Sequence, residues 1–288
     1  MERAAWVAIS GVSGFGPARF RALLEAFESP RAALEAGAEE MCVRLDLGET
    51  LAEGLAEAAR RLEQVEHDLL SLEEAGIHAL IWPDPEYPAH LLTTTSPPPV
   101  LWRTGATDLQ FPGGAVAAIG SREAPEAAFA LARRWGAELA EAGVTVISGL
   151  AAGVDAAAHE GALDVGGPTL GVCGSGVLTA LANDNLACRV SEAGGLCSEL
   201  SPQAPRLPQS LFARNRIIAG LAEVVIVIAA RPDGGAVHTA RTALREGRAV
   251  FAVKWDEDES GGNRQVLDDG ASALTPQDDV LVPLGRRR

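Results

Sequence analysis

Lysine is nearly absent from this chain of 288 residues: Lys254 is the only one, so almost every cation is an arginine. That suits phosphate recognition, but it follows equally from the base composition of a genome and carries no weight alone. Long apolar runs are missing too. No uninterrupted apolar stretch approaches the roughly 20 residues that span a bilayer, and the opening "MERAAWVAIS" lacks the charged, apolar and cleavage regions of a signal peptide. A cytoplasmic chain with no membrane partner is expected. The four cysteines, Cys42, Cys173, Cys188 and Cys197, form no CxxC pair and have no histidine at metal spacing. Reduced, mostly buried thiols and no metal site are expected.

What is present is an acidic, globular composition. Asp and Glu number 39 against 24 Lys and Arg, a formal net charge of −15, and 47% of residues are hydrophobic. That is enough for one substantial core and a small accessory domain. Against this background residues 200–222 hold no acidic side chain, and within them "SLFARNRIIAGL" sets Arg214 and Arg216 around Asn215. A helix over about 211–221 places Phe212, Asn215 and Arg216 on one arc and Leu211, Ile217, Ile218 and Leu221 on the other. Arg214 falls on the apolar side, where a guanidinium needs a buried acid or an anionic ligand.

Two regions follow one another. Residues 1–75 are rich in Ala, Leu and Glu and predict short helices; in "GVSGFGPARFRALLEAF" a glycine turn precedes Pro17 at a first helical position and Phe20, Leu23, Leu24 and Phe27 at helical spacing. The pattern is like half of a helix-hairpin-helix element, which can offer backbone N–H groups to phosphate, but an acidic field opposes a polyanion and a packing module explains the pattern as well. Residues 50–76 predict one long amphipathic helix. The proline-punctuated segment 77–105 predicts two short strands and an extended crossing without helix. Thereafter strand, loop and helix alternate through "AVAAIGSREA", "VTVISGLAAGVD", "TLGVCGSG", "EVVIVIAARPDGG" and "AVFAV". The near-continuous apolar runs predict an α/β domain with a Rossmann-like, mostly parallel, doubly wound sheet over 76–285, and residues 286–288 a basic, disordered tail.

In such sheets the ligand sits over the carboxyl ends of the strands. Gly120, Ser121 and Arg122 follow the first strand, Ser148, Gly149, Gly153 and Asp155 the next, Gly174 and Gly176 a third, and Asp233, Gly234 and Gly235 a fourth. Small residues admit close backbone approach and helix N-termini present free N–H groups, so the crest predicts a phosphate-binding site. "GVCGSG" lacks the GxGxxG spacing of a dinucleotide fold.

"IGSREAP", "SGLAAGVDAAAHEGAL", "GGLCSEL", "LFARNRIIAGLAEVVIVIAA", "GGAVHTARTALREGRAVFAV" and "GGNRQVLDDGA" stand in the order and spacing of the DNA-processing protein A (DprA, or Smf) family, which this chain resembles over nearly its whole length. The resemblance implies a helical SAM/helix-hairpin-helix-like module at 1–75. It also implies a non-catalytic, single-stranded DNA-binding homodimer that needs no cofactor and loads the RecA recombinase during natural transformation. It places the DNA pocket at Gly120, Ser121, Arg122, Ser148, Gly149, Phe212, Arg214, Asn215, Arg216, Gly234 and Gly235. Arg122, Arg214 and Arg216 would contact phosphates, Asn215 backbone or base, and Phe212 would stack a base, worth ~1 to 3 kcal/mol in comparable sites. The bland alternative makes Phe212 core and the arginines structural ion pairs.

Several positions depart from the family pattern. Ala152 and Gln209 stand where cations are common, "TALANDN" replaces a tyrosine-proline, and Lys254-Trp255 replaces a proline-glycine. Fewer cations mean weaker binding and a shallower salt dependence. Asp155 and His159 lie four apart on one helix, yet no nucleophile accompanies them, so a helix-start carboxylate and a packed histidine are expected. The rival reading is an enzyme: "RPDGGAVHTA" resembles the PGGxGT loop of nucleoside-monophosphate phosphoribohydrolases, but the glutamate that follows it there is missing, and Glu246 lies far along the helix. A non-catalytic nucleotide sensor would use the same crest without Phe212.

Overall fold

The computed structural model describes residues 2–255 and 261–286. It divides into two compact units, Met1–Tyr87 with Ser96–Arg103, and Pro88–Thr95 with Thr104–Arg288. In the first, α1 (Glu2–Ser10), α2 (Pro17–Ala26), α3 (Pro30–Ala36), α4 (Ala38–Leu45), α5 (Glu49–Arg60) and α6 (Leu62–Glu74) precede an antiparallel pair, β1 (His78–Ile81) and β2 (Val100–Gly105). Pro17 opens α2, where its missing N–H costs nothing, and the helix buries Phe20 and Leu23. Ser29 caps α3 by accepting the Ala32 N–H at 3.1 Å. Trp6, Phe20 and Trp82 gather their rings at centroid separations of 4.8, 5.5 and 5.9 Å, within the range of favourable aromatic pairs.

Two expectations are corrected here. The helix expected over 50–76 is broken at Arg61, whose backbone (φ −91°, ψ 1°) leaves the helical region and divides the apolar stripe between α5, which buries Leu55 and Ala58, and α6, which buries Leu69. The boundary segment also carries one helical turn, α7 (Ala89–Leu92), begun by Pro88, whose ring holds φ at −59°.

The second unit alternates strands and helices: β3 (Ala115–Gly120), α8 (Glu126–Glu141), β4 (Thr145–Ser148), α9 (Val154–Asp164), β5 (Thr169–Val172), α10 (Val177–Asn183), α11 (Asn185–Ala193), β6 (Gly195–Ser198), α12 (Pro208–Leu221), β7 (Val224–Ala229), α13 (Gly235–Arg245), β8 (Ala249–Val253), α14 (Gly261–Asp268) and β9 (Ser272–Leu274). The strands run parallel in the order β6-β5-β4-β3-β7-β8-β9. This is the α/β architecture that the apolar runs predict, with β6 and β9 added to the five strands legible in the pattern. All six residues of β7 are buried. Val224, Ile226 and Ile228 share a core with Val116 and Val146 of β3 and β4, with Leu131, Trp135 and Leu139 of α8, and with Val154, Ala158 and Ala162 of α9.

β3 lies where the strand order reverses. The loops leaving β3 and β7 therefore diverge and open a crevice at their carboxyl ends. A register shift between Ile119 and Gly120 falls at that end, and the Ser121 N–H donates to the Ala229 carbonyl at 2.7 Å. Among the described residues no helix is long and apolar enough to cross a membrane, and no group of three or more His, Cys, Asp or Glu is placed to hold a metal ion. Of the expected basic tail, Arg286 donates from Nη1 to the Gly113 carbonyl at 2.9 Å, and residues 287–288 lie outside the described residues.

Candidate functional site

The crevice holds a cavity of about 340 Å³ walled by the loops after β3 and β7 and by α12. Gly120, Ser121, Arg122, Phe212, Arg214, Asn215, Gly234 and Gly235 line it; Ser148, Gly149 and Arg216 do not. Its capacity for anions comes first from backbone. α13 starts at Gly235 behind Gly234, which has no side chain to cap it, so the first N–H groups of the helix, at Gly235 and Ala236 on the cavity wall, have no partner within the helix. Arg122 is exposed at the rim and has no ion-pair partner among the described residues. The Ser121 hydroxyl accepts the Glu123 N–H at 3.1 Å and so fixes the turn that presents Arg122. Sequence reasoning missed one cation: Arg231 also lines the cavity and meets Glu123 only loosely, at 3.6 Å with both side chains mostly exposed. Its position directly after β7 was the available signal. Asp233, the acid of the same loop, lies 3.6 Å from Arg241.

α12 is the helix expected, begun earlier by Pro208, and its four polar or aromatic site residues have four different environments. Phe212 is 52% exposed at the cavity rim. Arg214 is 5% exposed and is drawn beneath the floor, where Nη1 donates to the carbonyls of Gly149 (2.7 Å) and Val172 (2.5 Å) and Asp155 supplies the opposite charge. Of the two partners its position called for, the structure provides the buried acid. Arg214 nevertheless lines the cavity, with Nη1 committed to these carbonyls and Nε buried without a partner. Asn215 is 9% exposed, against the expectation of an open arc, because the start of α13 covers it; a Cβ at Gly235 would stand 3.7 Å from Asn215 Nδ2. Arg216 pairs through Nη2 with Glu199, the acid one residue before the acid-free span, while its Nη1 is buried without a partner.

The loop after β4 is structural. Ser148 is fully buried and its hydroxyl donates to the Ala118 carbonyl at 2.7 Å, and the Gly149 N–H donates to Asp155 Oδ2 at 3.2 Å, so neither offers a donor to a ligand as expected. Glycine at 149 leaves room for the Arg214 guanidinium, which would have to shift to admit a Cβ there. Gly153, at φ +92°, lets this loop pass against Ser121 and Arg122. Burial pushes the Asp155 carboxyl above the usual carboxylate range and the Arg214 charge opposes the shift. His159 is fully buried, with Nδ1 2.7 Å from the Thr169 hydroxyl, and burial lowers its pKa to about 4, so it is a neutral packed histidine. Asp155 and His159 are therefore not an acid-base pair at a reaction centre.

The thiols offer no nucleophile here. Burial pushes the Cys173 pKa up to about 12 and raises that of Cys197 as well. Nor does Glu246 approach the phosphate-type loop: it ends α13, and its carboxylate accepts from the N–H and hydroxyl of Thr95.

The family described as DNA recombination-mediator protein A matches residues 78–285. Protein Smf of Synechocystis sp. is 32% identical over 293 residues, covering 99% of this chain and 73% of the relative. The X-ray structure of DNA processing protein A from Streptococcus pneumoniae superposes with a TM-score of 0.78 at 28% identity, covering 97% of this chain and 96% of that one. DNA processing protein A from Helicobacter pylori, solved for its single-stranded DNA binding mode, gives a TM-score of 0.64 at 26% identity over 73% of this chain and 96% of that one.

Proposed function

This chain belongs to the DNA recombination-mediator protein A family, and from that premise we propose that its crest cavity binds single-stranded DNA. The observation that carries the reading is the placing of Phe212, half exposed, on the rim of a cavity that also holds the uncapped start of α13 and the unpaired Arg122. A phosphate accepts from the N–H groups of Gly235 and Ala236, Arg122 and Arg231 neutralise it and its neighbour, and the base between lies on the Phe212 ring. Duplex DNA keeps its bases inside the stack and cannot use the ring, so the single strand is preferred. Gly120, Gly234 and Asn215 shape the walls and Arg214 the floor, Ser148 and Gly149 lie behind the lining, and Arg216 becomes a phosphate contact only when it leaves Glu199. In this reading residues 76–285 bind DNA and residues 1–75 form an accessory helical module. The protein acts as a cytoplasmic homodimer without catalysis of its own and hands the strand to the RecA recombinase in transformation. The family's description as a recombination mediator and the DNA-binding mode of the Helicobacter pylori relative support it.

The test is fluorescence anisotropy with labelled oligo-dT and a matched duplex from 50 to 200 mM salt. Two neutralised phosphates on a single strand give a slope of log K against log salt of about −1.4, and Arg122→Ala reduces it to about −0.7. Equal affinity for duplex and single strand, or an unchanged slope in the variant, refutes the assignment.

A further inference from the structure

Phe212 is the residue on which the DNA reading leans most, and an aromatic side chain with 52% of its surface exposed has little of its own to hold it. α13 supplies the support. His238, half-buried on that helix, sets its imidazole 4.5 Å from the Phe212 ring, centroid to centroid, with the planes 38° apart. That separation lies at the close end of the range for attractive ring pairs. The contact is specific to the ring: no side-chain hydrogen bond holds His238 among the described residues. Burial lowers its pKa, and Arg245 and Arg241 on the same helix add to the effect, so the ring is neutral near pH 7. Its neighbours in sequence, Ala236 and Thr239, line the cavity and His238 does not; it meets Phe212 from outside.

We propose that His238 is a positioning residue for single-stranded DNA, its imidazole backing Phe212 so that the ring is held at the cavity rim for a nucleobase. The proposal rests on the DNA-binding reading above. Without the backing, an exposed phenylalanine on a helix distributes over two staggered χ1 wells, of which one faces the base, so affinity falls by up to about twofold. The effect passes through a ring and not through charge.

Anisotropy titrations of the full chain with labelled oligo-dT test it, using wild type, His238→Ala, His238→Gln, His238→Phe, Phe212→Ala and the double variant Phe212→Ala, His238→Ala, with thermal melts alongside. His238→Ala and His238→Gln are expected to bind about twofold more weakly with the wild-type salt slope, His238→Phe to restore affinity, and the double variant to match Phe212→Ala. Should His238→Ala fold poorly, the contrast between the glutamine and phenylalanine variants still decides, because only one of them keeps a ring. Wild-type affinity in His238→Gln beside a weakened Phe212→Ala overturns the proposal alone. Wild-type affinity in Phe212→Ala overturns the stacking reading and this proposal with it.

Discussion

Replacing Glu199 with glutamine is expected to tighten binding to single-stranded DNA. In the free protein Glu199 engages Nη2 of Arg216, with side-chain exposures of 21% and 26%, and leaves Nη1 of the same guanidinium buried without a partner. A phosphate that reaches Arg216 must displace the carboxylate. Pairs of this kind are worth up to about 1 kcal/mol when near the surface, so removing the competitor releases an affinity gain of about fivefold at low salt. The salt dependence gives an independent reading. One more neutralised phosphate steepens the slope of log K against log salt by about 0.7, from about −1.4 to about −2.1, so the advantage of the variant shrinks by roughly 2.5-fold between 50 and 200 mM salt. Glutamine keeps an oxygen that accepts from Arg216, so the fold is retained, and a melt checks this. Arg216→Gln in the Glu199→Gln background removes both gains. An affinity and slope equal to wild type in Glu199→Gln would place Arg216 off the DNA path and refute the reasoning.

Two further predictions concern the floor of the site. Gly149→Ala drives a methyl into the Arg214 guanidinium and is expected to cost about 1 to 3 kcal/mol, read as a lower urea midpoint at unchanged m-value; an unshifted midpoint shows that Arg214 has another place to go. His159, held neutral with a pKa of about 4 against an ordinary value of 6.5, binds its proton more readily in the unfolded chain, so its contribution is fully present above pH 6.5 and is lost as pH falls toward 4. The loss amounts to about 3 kcal/mol, and the difference in unfolding free energy between wild type and His159→Gln, measured at pH 7 and at pH 4, isolates it from the carboxylates.

The parts of this molecule that were legible in its sequence are those governed by short-range repetition. Six consecutive apolar residues at 224–229 require a strand covered on both faces, and that is what β7 is. The 3.6-residue period of α12 separates Ile217, Ile218 and Leu221, all buried, from Phe212. What escaped was set by partners distant along the chain. Arg214 finds its carbonyls 65 and 42 residues away, at Gly149 and Val172, and Arg216 finds its acid 17 residues back, just outside the stretch that looked free of negative charge. Asn215 is covered by a helix that begins 20 residues later at Gly235. The break at Arg61 has no glycine or proline to announce it, and α7 is too short for any period to show.

Under the proposed function these long-range partners change how an acidic protein would bind a polyanion. Counted along the sequence, three arginines at 122, 214 and 216 supply the positive field. Counted in space, Arg214 is occupied by two carbonyls and faced by Asp155, Arg216 is held by Glu199, and the open cations are Arg122 and Arg231, which flank the crevice on the loops after β3 and β7. Fixed charge is therefore a small share of recognition here, smaller still for the cations that Ala152 and Gln209 do not provide. What remains is geometric: helix N–H groups that need no counterion and a ring that takes any base. The ring is indifferent to ionic strength and to base identity, so in this reading binding loses only the salt-dependent part that two neutralised phosphates contribute and carries no base preference. In that reading the carboxylate on Arg216 keeps a cation out of the open field until a phosphate is close enough to compete for it, which is the displacement that Glu199→Gln tests.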